Sequence, residues 1–482
     1  MSVTSNLKTN PDACPLAKKC GGCQLQNMTY ERQLAWKQAR AEMLLKKFCK
    51  VGKITGMENP LHYRNKVQAA FGRTRGGKII SGVYQSSSHR IVNVDSCMIE
   101  DETADSIITC IRSLLPKFKI TVYEEDKGTG FLRHVLIRRG FTSVQVMAVL
   151  VGSSAYFPMK KQFTKKLLEL HPEITTLVLN VNPRDTNLVL GEREEVLYGP
   201  GYITDTLCGL EFAISPRSFY QINSVQTEKL YAKAMEFAGL GEDSTVIDAY
   251  CGIGTIGMVA AKTAGRVIGV ELNKGAVRDA ISNAKRNGMK NIRFYCDDAG
   301  RFMQAMAEEG EKADVVFMDP PRAGSSAKFI NSMLKLAPER IVYISCNPET
   351  LARDLAMITK GGYRVRCIEP FDMFPFSSHI ETVVLLSQQK PKFTVDIDIN
   401  LDEFDQTAAE AKATYQEIKD YVYSKYKLKV SHLNIAQIKQ KYGIIERQNF
   451  NHPKSENSKQ PNCTPEKEKA ITDALKYFKM ID

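Results

Sequence analysis

The chain has 482 residues, a length typical of about three domains. Hydrophobic residues make up 43% of the sequence and charged residues 25%, which are values of folded proteins and exclude disorder throughout. Gln145 interrupts the longest apolar stretch, residues 144–151, so we predict no membrane span. The N-terminus lacks an apolar core of signal-peptide length, and we therefore expect a cytoplasmic protein. A formal net charge of +12, spread over a long chain, weakly favours a polyanionic partner.

The N-terminal region contains a group of closely spaced cysteines. The chain has twelve cysteines, which in a reducing compartment are expected to be thiols, metal ligands or nucleophiles rather than disulfides. Cys14, Cys20 and Cys23 are three of them, and a helix is predicted to follow over residues 30–47. We assign residues 1–60 to this small region.

The next segment, residues 61–205, reads as a β-rich domain of short strands broken by Gly, Asn and Pro. Residues 71–85 and 131–151 both have the pattern of hairpins, and both contain several Arg or Lys residues. This mixture predicts a half-open sheet with one basic face.

From Thr245 onwards, short β-rich segments alternate with helical ones, which predicts a doubly wound parallel sheet of the α/β class. Two further strands, at residues 363–371 and 379–387, follow each other without a long helix between them. Seven strands ending in such a pair predict the class I, Rossmann-like methyltransferase form of this fold, over residues 206–390.

The last segment, residues 391–482, is predicted to be a basic helical extension. Tyr415, Ile418 and Val422 stand at helical spacing, and a second short helix is predicted at residues 431–444. The pair is either a helix-turn-helix that contacts nucleic acid or an appendage packed on the main body, and the pattern favours neither. A linker at residues 449–469 and a last helix ending near Met480 complete the prediction.

A glycine-rich turn predicts a nucleotide-type cofactor site. Gly252, Gly254 and Gly257 follow the strand 245–250 and open a helix, and Glu271 stands where a ribose-binding acid is expected. This motif alone does not separate a nicotinamide cofactor from S-adenosylmethionine. Asp248 would repel a pyrophosphate but tolerates the cationic groups of S-adenosylmethionine.

Two further acids follow neighbouring strands of the same predicted sheet. Asp298 is placed to receive an adenine amino group, and Asp319 faces the same crevice. The alternative interpretation is that these acids only cap helices. Taken together, the acids favour S-adenosylmethionine.

Cys346 ends the fifth predicted strand and precedes a helix, whose N-terminus is expected to lower the thiol pKa. A thiolate beside a methyl donor suits uracil, because its addition to C6 makes C5 nucleophilic. The C5 proton must then be removed by a general base. Glu381 is the candidate, expected at the opposite edge of the sheet core, and His379 is its rival on the same side of that strand.

These residues together resemble the RNA 5-methyluridine methyltransferases, and most closely the 23S rRNA branch that carries an iron–sulfur cluster. The motifs that carry the resemblance are SPRSFYQIN, DAYCGIGT, GVELN, DPPRAG, SCNPETLARDL and HIETV, between Ser215 and about Leu386. The resemblance implies transfer of a methyl group from S-adenosylmethionine to C5 of a uridine in 23S rRNA. It implies Cys346 as nucleophile and Glu381 as proton acceptor. The implied S-adenosylmethionine contacts are Gln221, Tyr250, Thr255, Glu271, Asp298 and Asp319.

The same resemblance implies a [4Fe–4S] cluster on Cys14, Cys20, Cys23 and Cys97, interpreted as a structural staple. On spacing alone, a tetrathiolate zinc site is a fair rival. Residues 63–66 and 132–134 resemble RNA-facing segments of the family, with a solvated basic face as the alternative.

Two features depart from the family pattern. Only 13 residues precede Cys14, so the β-barrel RNA-binding module of many members is missing, and the extension after residue 390 lies outside the common core. We hypothesise that this extension replaces the module and that deleting residues 395–482 weakens RNA binding but not S-adenosylmethionine binding. The competing functions are a tRNA uridine-C5 methyltransferase and an RNA-binding or RNA-folding protein with vestigial catalysis. A 5-methylcytosine enzyme is disfavoured because DPPRAG lacks a second cysteine. We expect RNA as the partner, no DNA, no membrane and a monomer.

Overall fold

A computed structural model describes residues 13–85, 88, 90–184, 188–389, 415–442, 463–478 and 480–481. The chain divides into two compact units, Met1–Lys390 and Pro391–Asp482. Among the described residues, no helix is both long and apolar enough to cross a membrane.

The first unit begins with two helices, α1 (Ala17–Cys20) and α2 (Tyr30–Leu45). α2 is fixed by Lys37, whose fully buried ammonium donates to Asp372 Oδ1 at 2.6 Å and to the carbonyl oxygen of Phe374 at 3.0 Å. Because both acceptors lie between the last two strands of the unit, this buried pair attaches α2 to the loop that leads to Glu381.

The central domain contains a seven-stranded sheet in the order β3-β2-β1-β4-β5-β6-β7. Its strands are β1 (Lys66–Arg73), β2 (Ile79–Tyr84), β3 (Ile91–Asn93), β4 (Leu132–Arg139), β5 (Val146–Gly152), β6 (Ile174–Val181) and β7 (Arg193–Tyr198). All pairs are antiparallel except β5 with β6, which α4 (Lys160–Leu170) connects, while α3 (Glu102–Leu114) packs on β1, β2 and β4. Both predicted hairpins, β1–β2 and β4–β5, are confirmed.

The predicted basic face of this sheet is wrong for β4. Arg133 and Arg138, and His134 between them, are all buried. Arg133 pairs with Glu125 and donates to the carbonyl oxygen of Asn182 at 3.1 Å, while Arg138 donates to the carbonyl oxygens of Pro216 and Ser218. A buried guanidinium group is costly unless its N–H groups find acceptors, and here the acceptors are loop carbonyl oxygens. These arginines therefore hold loops onto the sheet and do not form a charged face.

A two-stranded hairpin, β8 (Ile203–Leu207) and β9 (Leu210–Ile214), leads into the second seven-stranded sheet. That sheet has the order β12-β11-β10-β13-β14-β16-β15. Its strands are β10 (Thr245–Ala249), β11 (Arg266–Glu271), β12 (Ile292–Cys296), β13 (Val315–Met318), β14 (Arg340–Ser345), β15 (Tyr363–Phe371) and β16 (Glu381–Gln388). The first five are parallel, and β16 runs antiparallel to both β14 and β15. This arrangement confirms the predicted class I methyltransferase form.

Helices cover both faces of this second sheet, and the buried side chains of β10, β11 and β13 alternate between two hydrophobic cores. The helices are α5 (Ser224–Ala238), α6 (Thr255–Ala260), α7 (Lys274–Arg286), α8 (Ala299–Glu308), α9 (Ala327–Leu336) and α10 (Pro348–Lys360). The polar residues that follow the parallel strands are consequently left at one edge of the sheet, where ligands of such folds bind.

The second unit contains α11 (Tyr415–Tyr426), α12 (His432–Lys441) and α13 (Pro465–Tyr477). Ile418 and Val422 of α11 and Ile435 of α12 share one buried cluster with Ile471 and Leu475 of α13. The two predicted helices are present, but their apolar faces are covered by the last helix. The predicted linker lies largely outside the described residues.

Candidate active site

The glycine-rich turn between β10 and α6 depends on two close approaches. A Cβ on Gly254, whose φ is +83°, would lie 2.7 Å from the ring of Phe294, and a Cβ on Gly257 would lie 2.8 Å from Asp248 Oδ2. A Cβ on Gly252 would meet no atom within 4 Å. The backbone therefore packs tightly on its inner side and leaves open space at Gly252, as a cradle for a ligand requires.

Asp248 supports this turn from behind. Its fully buried carboxylate accepts a hydrogen bond from the backbone N–H of Gly257 at 2.7 Å, and burial raises its pKa to about 8. The carboxylate of Asp248 is therefore engaged by the backbone of the glycine turn. The helix-capping interpretation holds for this residue, because its carboxylate serves the start of α6.

Glu271 and Asp298 end on the same edge of the sheet. Glu271 accepts hydrogen bonds from the backbone N–H groups of Gly252 at 3.2 Å and of Asn273 at 2.8 Å, so its carboxylate is fixed beside the glycine turn. Asp298 caps α8, with Oδ1 accepting from the N–H of Arg301 at 2.8 Å. Its other oxygen makes no hydrogen bond within the described part of the chain. Asp298 thus keeps one carboxylate oxygen, and Glu271 a fixed carboxylate, for a ligand that offers hydroxyl and amino groups.

Two other predicted cofactor contacts, Tyr250 and Thr255, belong to the same turn, and a third, Gln221, lies in the loop before α5. Tyr250 has φ +64°, and its ring centroid lies 4.9 Å from that of Phe329. Thr255 Oγ1 shares a hydrogen bond of 2.9 Å with the hydroxyl of Tyr231. The carbonyl oxygen of Gln221 accepts from Asn65 Nδ2 at 2.9 Å, which ties this loop to the central domain.

Cys346 and Glu381 lie side by side rather than at opposite edges. β14 pairs with β16 so that Ser345 faces Thr382, and the next residues along the two strands are Cys346 and Glu381. The expected position of Glu381 at the opposite edge is therefore wrong, because β16 is inserted antiparallel between β14 and β15. This register places the start of β16 beside the end of β14.

The thiol of Cys346 is not activated as the sequence predicted. Its pKa is raised to about 11, chiefly by burial and in addition by the carboxylates of Glu381 and Asp319, while Arg322 opposes the rise. The expected effect of the helix N-terminus is outweighed because the thiol is half-buried among carboxylates. Deprotonation must therefore depend on positive charge near the thiol.

Burial makes the two carboxyl groups of this edge harder to ionise in the free chain. Burial raises the pKa of Glu381 well above its usual value, with Asp319 adding to the rise and Arg322 opposing it. Burial alone raises the pKa of Asp319 to about 7. A carboxylate with a raised pKa is a better proton acceptor once ionised, which suits a general base.

The contact of His379 with Arg322 disfavours this histidine as the base. Nε2 of His379 lies 3.1 Å from Nη2 of Arg322, and because a guanidinium has only donors, this nitrogen must be the acceptor. Burial also lowers the pKa of His379, with Arg322 adding to the effect. Its imidazole is neutral, with the lone pair of Nε2 already used.

Sequence reasoning missed the role of Arg322. Its carbonyl oxygen accepts from Asn347 Nδ2 and Thr350 Oγ1, so the DPPRAG loop is bound to the residues that follow Cys346. The buried carboxylate of Asp354 holds the same loop by accepting from the N–H of Ser325 at 2.8 Å. The Asp-Pro-Pro-Arg order was visible in the sequence, but only the fold shows that it brings a cation to Cys346.

Comparison with known proteins shows the family of this chain. The model of the family described as tRNA (Uracil-5-)-methyltransferase matches residues 29–389, three quarters of the chain. The chain belongs to this family.

Relatives at the sequence level carry the description of RNA methyltransferases. An uncharacterized RNA methyltransferase of Halalkalibacterium halodurans is 42% identical over 393 residues, covering 80% of this chain and 86% of its own. One from Oceanobacillus iheyensis is 44% identical over 374 residues, covering 76% and 81%. This member of the tRNA (Uracil-5-)-methyltransferase family is therefore an S-adenosylmethionine-dependent RNA (uracil-C5)-methyltransferase.

A solved structure supports the cofactor as well as the fold. Pyrococcus abyssi tRNA (uracil-54, C5)-methyltransferase, crystallised in complex with S-adenosyl-L-homocysteine, is 28% identical with a TM-score of 0.63. The alignment covers 76% of this chain and 85% of that one. S-adenosylmethionine is accordingly the cofactor of the family member described here.

The four cysteines of the predicted cluster lie in the same region of the fold, but their side chains do not form a metal-binding group there. Cys14 and Cys20 both act electrostatically on Cys23, and Glu100 acts on both Cys23 and Cys97. The two cysteine segments touch where Gln26 Nε2 donates to Met98 Sδ at 3.3 Å. All four thiols are free and partly buried, but no group of three metal-binding side chains is assembled within the described ranges.

Proposed function

We propose that this enzyme methylates C5 of a uridine in 23S rRNA, with Cys346 as nucleophile and Glu381 as proton acceptor. The observation that carries the proposal is the neighbouring position of these two residues at the paired ends of β14 and β16. Two groups that act in succession on adjacent ring carbons of one base must lie this close together.

Cys346 begins the reaction by adding its sulfur to C6 of the uracil, and the electron pair of the C5–C6 bond moves towards C5 and O4. Arg322 is the cation that favours the thiolate, since its guanidinium lowers the pKa of Cys346. Bound S-adenosylmethionine supplies the methyl group that C5 takes. Its contacts are proposed to be Gln221, Tyr250, Thr255, Glu271, Asp298 and Asp319.

Glu381 completes the reaction. Its carboxylate removes the proton from C5, the C5–C6 double bond re-forms and the sulfur of Cys346 leaves as thiolate. The low exposure of Glu381, 6%, excludes water that could compete for that proton. A uridine within folded RNA would have to be flipped out to reach this edge, and we assign RNA binding to the central domain, residues 61–205.

The choice of 23S rRNA rests on the cysteine pattern. Cys14, Cys20, Cys23 and Cys97 are proposed to hold a [4Fe–4S] cluster, which would supply a structural cross-link between two segments far apart in sequence. Four soft thiol donors fit such a cluster, and the contact between Gln26 and Met98 already joins the two segments. Anaerobic purification with quantification of iron and sulfide tests the cluster, and zinc instead of iron would contradict it. We further propose that the enzyme is a monomer, which size-exclusion chromatography with light scattering tests.

A tRNA uridine is the second candidate target. It is favoured by the likeness to the Pyrococcus abyssi tRNA (uracil-54, C5)-methyltransferase. Release of tritium from C5-labelled uridine distinguishes the two targets when the enzyme is given 23S rRNA and tRNA transcripts separately. Release from rRNA alone supports the proposal, and release from tRNA alone transfers the same chemistry to the other RNA. Release from neither transcript contradicts the proposed function.

A further inference from the structure

The second unit carries an exposed basic and aromatic surface that the matched family region does not include. It consists of Tyr423, Tyr426, Lys427 and Lys429, at the end of α11 and in the turn before α12, and we call it the turn surface. All four side chains are exposed, with Tyr423 at 51% and Tyr426 at 36%. The family match ends at residue 389, so the conserved reaction does not explain this surface.

The fold of the unit keeps the turn surface outward. Val422 and Val430, which flank the turn, are buried in the core shared by the three described helices of this unit. Lys427 ends α11 in the left-handed region, with φ +56°, and its N–H donates to the carbonyl oxygen of Tyr423 at 3.0 Å. The core side chains and this bond fix the backbone, so the exposed side chains are presented on a rigid element.

Two of the lysines on or near the turn surface differ from their neighbour Lys425 in having no acidic partner among the described residues. Lys425 is paired, since its Nζ donates to Asp473 Oδ2 at 2.7 Å. Lys427 and Lys429, in contrast, form no ion pair within the described residues, and Nζ of Lys427 lies 5.8 Å from the ring centroid of Tyr423. Two lysines that form no ion pair with any described residue therefore lie near an exposed aromatic ring.

A cavity of about 290 Å³ opens beside this ring. Tyr423, Leu428 and Val430 contribute its apolar lining. Its charged lining residues are Lys419, Lys429 and Asp420. An aromatic wall between cations suits a nucleobase with its phosphates, because bases stack on aromatic rings while lysines pair with the backbone. Protein interfaces, in contrast, are depleted in lysine.

We propose that the turn surface binds a single-stranded segment of the RNA substrate, with a base stacked on Tyr423 and phosphates paired with Lys427 and Lys429. This inference rests on the proposed function, which identifies RNA as the substrate. It adds a second contact, outside the catalytic unit, that selects or retains the RNA.

The test measures binding of a fluorescein-labelled single-stranded oligouridine to the full chain over a series of salt concentrations. In the pair Lys427→Ala and Lys429→Ala, the slope of log K against log salt should flatten by about 0.7 for each lost phosphate contact. The matched control pair, Lys467→Ala and Lys469→Ala, removes the same charge from α13, where Glu466 and Glu468 alternate with the lysines. The control should keep the wild-type slope.

Substitutions of Tyr423 test the stacking separately. Tyr423→Ala should weaken oligouridine binding about tenfold, while Tyr423→Phe should bind nearly as the wild type does, because the ring is retained. Circular dichroism verifies that each variant folds. An unchanged affinity and salt slope in the lysine pair, or no binding by the wild type, would overturn the inference, and the surface would then suit a protein partner.

Methylation of the transcripts, measured on the same preparations, separates the two proposals. If the variants lose oligouridine binding but the wild type methylates neither transcript, the turn surface is supported and the proposed reaction is contradicted. If the wild type methylates a transcript but the variants bind oligouridine as well as the wild type does, the proposed reaction is supported and the role of the turn surface is contradicted.

Discussion

In the central sheet, the buried cations Arg133 and Arg138 are surrounded by carbonyl oxygens and, for Arg133, by the carboxylate of Glu125. At the carboxyl edge of the second sheet, Asp319 and Glu381 are withdrawn from water with no salt bridge to a cation within the described residues, and their pKa values rise. The first arrangement is the one that buried charge needs for stability, and the second is a cost retained for function. Among these four residues, compensated charge belongs to the scaffold and uncompensated charge to the reacting edge.

The largest effect is expected at the nucleophile. Cys346→Ala should lower methylation by about 10⁴-fold or more, because no other described thiol lies at the paired ends of β14 and β16. Cys208→Ala is the matched control, since burial also raises the pKa of Cys208 to about 11 but its thiol lies in the β8–β9 turn. Methyl transfer from labelled S-adenosylmethionine measures both variants, and equal losses would contradict the assignment.

The next effect concerns the proton acceptor. Glu381→Gln should slow turnover by about 10²–10⁴-fold and allow a covalent protein–RNA adduct to accumulate, because elimination needs the base more than addition does. Denaturing gel electrophoresis detects that adduct. Glu369→Gln, at another partly buried glutamate whose pKa burial raises, should retain turnover and leave no adduct.

A scaffold cation should show the opposite pattern. Arg138→Met should lower the free energy of unfolding by about 1–3 kcal/mol, because the carbonyl oxygens of Pro216 and Ser218 lose a buried donor. The affinity for S-adenosylmethionine should stay unchanged. Urea unfolding and calorimetry measure the two quantities, with the exposed Lys165→Met as control. If Arg138→Met lost affinity for S-adenosylmethionine while its stability stayed unchanged, the distinction between a structural charge in the first sheet and functional charges in the second would be contradicted.

A further prediction concerns a pH dependence of stability that originates at Asp248. Its pKa is about 3.8 when unfolded and about 8 when folded, so protonation favours the folded state. Its contribution is complete below pH 3.8 and is lost as the pH rises through about 8. Asp248→Asn preserves an acceptor for Gly257 and should give a shallower fall in stability over this range. Thermal unfolding without cofactor measures the stability of the wild type and of Asp248→Asn as a function of pH. If stability falls equally with pH in both proteins, Asp248 is not the origin of the pH dependence.

The sequence predicted what local patterns encode and missed what depends on strand insertion. The alternation after Thr245 gave the class I fold, and the residues ending β13 and β14, Asp319 and Cys346, follow from it. The position of Glu381 could not be predicted in this way, because the antiparallel insertion of β16 between β14 and β15 depends on tertiary packing and not on a local sequence pattern.

Burial of charge was also invisible in the sequence. Arg133 has the same neighbours in sequence whether a loop covers it or not, and Arg322 becomes a partner of Cys346 only through the loop that Asp354 holds. The third helix of the last unit was predicted, but its packing on Ile418 and Val422 was not, since helical periodicity shows an apolar face and not what covers it.

RNA that contains 5-fluorouridine tests the central claim most directly. Fluorine at C5 cannot leave as a proton, so the sulfur of Cys346 should remain bound to C6 after methyl transfer, and a complex stable to denaturation should form only when S-adenosylmethionine is present. Wild type and Glu381→Gln are expected to form this complex equally, because the base acts after it. Cys346→Ala should form none. A complex of the same yield with Cys346→Ala would contradict the proposed nucleophile.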